Sequence, residues 1–238
     1  MLSRWLAVVR SLAFYAIFYG GSVILVLLVA LAKPFGEGAL QRACWRWSAY
    51  HRVCARFILG IKVRIVGELP TTGALVAIRH ESFFEAIDLP RLLGLPAVFA
   101  KIELMRIPFW GRLAESYGLI GVEREQGATA LRKMVKEARR YKEQDRLLAI
   151  FPEGTRTPHG VEGAILPGFA GIYKLLDLPV VPISVDSGPL YHKRWKRSGT
   201  ITYRVGEVIP TGLPRAEVEQ RVCAAINIAG PQLAGKET

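Results

Sequence analysis

Cysteine is scarce in this 238-residue chain: only Cys44, Cys54 and Cys223 occur. Three cysteines without paired spacing build neither a disulfide framework nor a zinc site, and the scattered histidines His51, His80, His159 and His192 add no metal-ligand pattern. A reducing compartment and no structural metal are expected. A Gly-rich run ending in Gly-Lys-Ser/Thr is missing, which excludes a nucleotide P-loop. No Gly-x-Ser-x-Gly elbow occurs either, which removes the usual nucleophile of a serine esterase. No repeat, low-complexity tract or long linker divides the chain, so one domain is the working count. Acidic residues are few, 20 Asp and Glu against 32 Lys and Arg, a net charge of +12. Such a surface attracts anions, whether nucleic acid, acidic lipid headgroups or phosphorylated small molecules; charge alone does not choose among them.

Apolar residues are abundant, at 51% of the chain, and unevenly spread. Residues Ser11 to Ala32 carry no charge. At ~1.5 Å per residue, a helix of that length covers roughly the ~30 Å hydrocarbon core of a bilayer. Gly20 and Gly21 fall in its middle, so an embedded hairpin is as open as a span. A cleaved signal peptide is the alternative, because Arg4 and Arg10 lie at its start and Ala30-Leu31-Ala32 resembles a cleavage site. The run exceeds the ~7–15 residue core of such leaders. From Leu40 to Ile61 the pattern turns amphipathic, with Arg42, Arg46, Arg52 and Arg56 on one side and Leu40, Cys44, Trp47, His51, Cys54 and Ile58 on the other. A basic, Trp-containing helix after an apolar anchor fits a segment lying on anionic lipid; packing on the domain is the alternative. The division expected is a membrane-associated helical segment over 1–60 and an α/β domain over 61–238 with a C-terminal helix.

Beyond residue 61, short β-like runs alternate with helical ones, the mark of an α/β sheet. Strands are expected at Lys62–Val66, Ala74–Arg79, Ala97–Lys101, Leu119–Val122, Leu147–Phe151, Val180–Val185 and Thr200–Val205. Helices are expected at Phe83–Leu93, Glu103–Tyr117, Ala128–Glu143, Gly168–Leu176 and Arg215–Ile228.

Chemistry gathers where strands end. The stretch Arg79-His-Glu-Ser-Phe-Phe-Glu85 runs from an apolar strand into a polar turn and a helix. Residues five apart on one continuous helix are separated by about 140°, so only the turn can bring His80 and Glu85 together. An imidazole so placed takes a proton from an attacking alcohol and returns it to the leaving group, while a carboxylate on its other nitrogen fixes the tautomer. The alternative is purely structural, because Ser82-Phe-Phe-Glu85 also spells a capping box. Asp88 is a second carboxylate, one helical turn on. The next cluster, Phe151-Pro-Glu-Gly-Thr-Arg156, follows an apolar run. Gly154 permits a sharp turn, and Arg156, Thr155 and backbone N–H groups suit a phosphate. Here the alternative is a tight turn stapled by a Glu153–Arg156 ion pair. A third stretch places Lys101 at a strand end and Arg124 beyond the next strand, where both face one anionic ligand or serve as ordinary surface cations.

In this order the blocks resemble the glycerolipid acyltransferase family typified by bacterial lysophosphatidic acid acyltransferase (PlsC-like). They read His80-Glu-Ser-Phe-Phe-Glu85, then Lys101-x-Glu-Leu-x-x-x-Pro108-x-x-Gly111 ending at Gly-Val-Glu-Arg124, then Phe-Pro-Glu-Gly-Thr-Arg156, then Leu178-Pro-Val-Val-Pro182-Ile183. The similarity covers about residues 60–210. It implies a single α/β domain with a mixed, mostly parallel sheet flanked by helices, preceded by an apolar and amphipathic helical membrane anchor. It also implies a catalytic dyad of His80 and Glu85, with Lys101, Arg124, Glu153, Gly154, Thr155 and Arg156 at the acceptor phosphate. The implied reaction moves an acyl group from acyl-CoA or acyl-ACP, a co-substrate and not a cofactor, to the sn-2 hydroxyl of 1-acyl-sn-glycerol 3-phosphate. Expected partners are membrane lipids and that acceptor, with no nucleic acid, and the expected place is the cytoplasmic side of a bacterial inner membrane. Arg79, where Asn or Lys is more usual, puts an additional cation beside the base, and Glu123 stands where Asp is common. Another acceptor, such as a lyso-ornithine lipid, is the alternative. A membrane-bound esterase using Ser82 and a basic membrane-binding protein without turnover are the remote ones.

Overall fold

Alternation along each strand builds the centre of the molecule, because successive side chains leave opposite faces of a sheet. The computed structural model describes residues 2–32, 35–108, 110–122 and 127–228. All seven expected strands form: β1 Ile61–Val66, β2 Leu75–Ile78, β3 Ala97–Lys101, β4 Leu119–Val122, β5 Leu148–Ile150, β6 Val180–Val185 and β7 Gly199–Val205. They make one sheet in the order β1-β7-β6-β2-β5-β3-β4. Every pairing is parallel except β6 with β7. The mixed, mostly parallel α/β domain is therefore as expected. The central strand β2 has β6 on one side and β5 on the other; the connection leaving β2 runs past β5 to β3 while that leaving β6 runs the opposite way to β7, so a switch point lies between β2 and β6. Ligands of open α/β sheets bind beyond the strand C-termini at such a switch point.

An apolar N-terminal layer precedes the sheet: α1 Leu2–Phe14, a π-helical turn Tyr15–Tyr19, α2 Gly20–Ala32, then α3 Glu37–Cys54 with a second π-helical turn Ala55–Leu59. Helix α3 folds back on the first two. Trp47 Nε1 donates to Ser22 Oγ at 3.0 Å, and the Tyr50 hydroxyl donates to the Ile17 carbonyl at 2.6 Å. Gly21 permits this approach, since a Cβ there would lie 2.2 Å from the Tyr50 oxygen. Phe14 and Phe18 join Val76, Ile78, Phe84 and Ile183 in one core cluster, so removing this helix as a cleaved leader would open a hole in the domain.

The apolar side of α3 turns onto the protein and not toward lipid: Leu40, His51 and Cys54 are buried. One of its arginines turns inward too, where Arg52 forks onto Asp88 at 2.6 and 2.7 Å. For this side of α3 the alternative holds, packing on the domain, because the neighbouring helices offer it a close apolar partner.

The remaining helices are α4 Phe83–Leu92, α5 Ile102–Met105, α6 Trp110–Tyr117, α7 Gly127–Lys142, α8 Gly168–Leu176 and α9 Arg215–Ile226. The single helix expected over Glu103–Tyr117 is two. Pro108 supplies no N–H and disfavours the helical conformation of the residue before it, so the chain breaks there. Gly111 then packs so tightly on the Met105 carbonyl that a Cβ would come within 1.9 Å. Helix α4 and the N-terminal layer cover the face bearing Val76 and Ile78. Helices α7, α8 and α9 cover the face bearing Leu75 and Ala77.

Candidate active site

Four parallel strands deliver the candidate residues to one edge of the sheet. His80 comes two residues after β2, Glu153 three after β5, Ser187 two after β6, and Lys101 closes β3. The His80 backbone is pinned at both ends: its N–H donates to Glu153 Oε2 at 2.8 Å, and its carbonyl accepts from Thr157 N at 2.7 Å. The ring stacks on Phe151 with centroids 4.3 Å apart. It leaves 15% of the side chain open.

The turn brings His80 Nδ1 to 3.0 Å from Glu85 Oε1. The capping box forms as well, with Ser82 Oγ accepting from Phe84 N at 3.0 Å and Ser82 N donating to Glu85 Oε1 at 2.6 Å. Capping and pairing are therefore one arrangement: the helix start that Glu85 closes also aims its carboxylate at the ring. Further donors reach that carboxylate, Glu81 N at 2.6 Å, Ser82 Oγ at 3.1 Å and Ser187 Oγ at 2.6 Å. Glu85 is fully buried, and these donors hold both of its oxygens in place. A carboxylate accepts only, so Nδ1 carries the ring proton and Nε2 keeps its lone pair. Among the described residues nothing binds Nε2. The arrangement is an imidazole with its Nε2 available for a proton and a buried carboxylate placed to stabilise the imidazolium.

Glu153 is engaged by His80 N and lies 3.7 Å from Arg79 Nη1, so the internal Glu153–Arg156 staple does not hold the second cluster. Gly154 takes φ +63°, a backbone conformation side chains resist. Thr155 and Arg156 beyond it are exposed, and the Arg156 guanidinium lies over the Phe83 ring at 4.2 Å. Lys101 is exposed two strands from β2, about 10 Å at ordinary strand spacing. Arg124 lies outside the described residues.

Three expectations change. Arg79 is not a cation beside the base: it is buried on the other face, held by Glu81 Nε–Oε1 at 3.0 Å, by Asn227 and by the Pro158 and Val161 carbonyls. Neighbours leaving a strand point to opposite faces, a signal readable from the pattern. Asp88 does not compete for His80, because it pairs with Arg52 and accepts from the Tyr203 hydroxyl at 3.1 Å. Burial raises its carboxyl above the usual range, opposed by the Arg52 bonds. Ser82 is committed to the helix cap, to Glu85 and to Ser187 Oγ at 2.7 Å, which removes it as an esterase nucleophile. Sequence reasoning missed Ser187 and the Phe151 stack; position after an apolar strand was their only signal.

Residues 60–186, more than half of the chain, match the protein-family model described as Acyltransferase. The chain belongs to the acyltransferase family. A 1-acyl-sn-glycerol-3-phosphate acyltransferase of Pseudomonas aeruginosa is 26% identical over 205 residues, which cover 83% of this chain and 79% of that one. The enzyme of the same name from Helicobacter pylori is 31% identical over 141 residues, covering 57% and 58%. Among solved structures, the LPA acyltransferase PlsC of Thermotoga maritima superposes with a TM-score of 0.69 at 20% identity over 92% of each chain. That likeness shows a shared fold.

Proposed function

We propose that this acyltransferase moves a fatty acyl group from a thioester of coenzyme A or acyl carrier protein to the sn-2 hydroxyl of 1-acyl-sn-glycerol 3-phosphate, forming phosphatidic acid. The relatives' shared activity supports the acceptor. The observation that carries the chemistry is the Glu85-held His80 with an unbound Nε2.

In this reading His80 Nε2 takes the hydroxyl proton as the alcohol oxygen attacks the thioester carbonyl. The C–O bond forms, the C–S bond breaks, and the imidazolium returns its proton to the departing thiolate. Glu85 stabilises the imidazolium and fixes the ring. No acyl-enzyme is needed. Arg156, Thr155 and Lys101, with Arg124, bind the acceptor phosphate, and Glu153 and Gly154 set the loop that presents them.

Membrane attachment follows from the N-terminal layer. Arg4–Leu28 is long and apolar enough to cross a membrane. Its outer face exposes Trp5, Val9, Leu12, Val23, Ile24, Leu27 and Leu28, while its middle is fused to the domain through Ser11, Phe14 and Phe18. A helix whose midpoint is packed on a polar domain embeds by one face and does not cross. Since both thioester donors are cytosolic, the site faces the cytoplasm.

The test is product identification: purified protein, a labelled acyl thioester and a panel of lysolipids that includes a lyso-ornithine lipid. Phosphatidic acid as the main product supports the proposal, and acylation of another lysolipid alone contradicts it.

A further inference from the structure

Glu81, the residue after His80, builds a second histidine–carboxylate pair on the opposite face of the same strand end. Its oxygens lie 3.0 and 3.1 Å from His159 Nδ1. Glu81 is buried, and it also accepts Arg79 Nε at 3.0 Å and Gly188 N at 2.9 Å. Burial raises the Glu81 carboxyl above its ordinary value, opposed by these same donors. His159 borders a cavity of about 230 Å³ whose other charged groups are Arg79, Glu81 and Glu162. The Glu81 side chain, unlike its backbone N–H, takes no part in the dyad at His80.

What the second pair holds is the loop that presents Arg156. The loop is tied at its start by Glu153 to His80 N, and further on by Thr157 N to His80 O. Beyond Arg156 it is tied again by His159 to Glu81, with Arg79 Nη2 gripping the carbonyls on either side, Pro158 and Val161. Thr155 and Arg156 are the exposed span between these fastenings, and the Arg156 guanidinium lies over the Phe83 ring. A long, flexible cation binds a phosphate well only when its backbone is fixed, because each loosely held residue adds an ordering penalty on binding.

We propose that His159, acting through Glu81, is a positioning residue that fixes residues 155–161 so that the Arg156 guanidinium stands ready for the acceptor phosphate. This rests on Arg156 as a phosphate ligand. Glu153, by contrast, fastens the start of the same loop directly to the His80 N–H, so its replacement would disturb the base and the loop together.

The test compares wild type, His159→Ala, His159→Asn and Arg156→Ala as full-length purified protein, with 1-acyl-glycerol 3-phosphate varied against saturating labelled thioester. His159→Ala is expected to raise the acceptor KM about 5- to 10-fold with kcat within about 2-fold. Backbone amide exchange across 155–161 should quicken about 10-fold. His159→Asn, whose side-chain amide donates from nearly the same place as Nδ1–H, should restore the KM to within about 2-fold of wild type. A wild-type acceptor KM in His159→Ala, a loss confined to kcat, or unchanged exchange across 155–161 would overturn the proposal. Should Arg156→Ala leave the acceptor KM unchanged, its phosphate role falls, and the exchange measurement still decides whether His159 fastens the loop. If His159→Ala does not fold, Glu81→Gln tests the same bond: a raised acceptor KM supports the role and a wild-type KM refutes it.

Discussion

Two histidines stand on the same side of the sheet, and their surroundings give them opposite characters. His51 is sealed among Phe14, Phe18, Phe84 and Tyr191, all with ring centroids within 6.1 Å. Its Nε2 meets the Tyr191 hydroxyl at 2.8 Å, and its Nδ1 has no partner. Burial, with Arg52 and Lys196 adding to it, lowers its pKa to about 3. His80 has a carboxylate on one nitrogen, an aromatic wall on one face and an opening. Proton transfer needs a carboxylate and an exit, and His51 has neither. One residue links the two regions: Phe84, which packs on His51, precedes Glu85 directly, so the aromatic layer braces the helix start that aims the carboxylate.

Replacing each histidine separates these roles. His80→Ala should lower acyl transfer by about 10³-fold or more while the melting temperature stays near wild type. His51→Ala should do the reverse, removing about 2–4 kcal/mol of stability by leaving a cavity, with kcat of the folded fraction retained. Parallel melts and single-turnover assays read both, and matching activity losses would erase the contrast.

Arg156→Ala, at the mouth of the site, should raise the acceptor KM by about 10- to 100-fold with a smaller change in kcat, as measured by varying the lysolipid. An unchanged KM would move the phosphate to Lys101.

Ser187→Ala removes the 2.6 Å hydrogen bond to Glu85 Oε2. Because that bond helps to hold the carboxylate against the His80 ring, its loss should cut kcat about 10-fold with the acceptor KM little changed. An unaltered kcat would make Ser187 a packing residue.

The last effect is thermodynamic. A depressed histidine pKa means that the unfolded chain binds a proton the folded state refuses, so stability is complete above about 6.5 and falls as pH drops toward the folded value. Between pH 6.5 and 4.5 this amounts to about 2 kcal/mol at His51. A His51→Phe variant should lose less melting temperature than wild type over that range, and equal losses would show that His51 titrates normally.

These contrasts also show what was readable in advance. Strand positions were legible because five parallel strands are nearly continuous apolar runs, and the helix break was legible in principle from Pro108. His80 and Glu85 could be named from a polar turn after such a run. Ser187 could not, since it reaches Glu85 across 102 residues and only the adjacency of β6 and β2 brings it there. Arg52 and Asp88 were hidden for the same reason, because a buried pair between α3 and α4 leaves no local pattern. Arg79 was misplaced although alternation along β2 turns it away from His80.

The most direct test of the central claim is the tautomer of the His80 ring, read from ¹⁵N shifts of imidazole-labelled protein at neutral pH and assigned with the His80→Ala variant. The account predicts that the neutral form of the ring carries its proton on Nδ1 and leaves Nε2 bare. A proton on Nε2, with Nδ1 unprotonated beside Glu85, would contradict it.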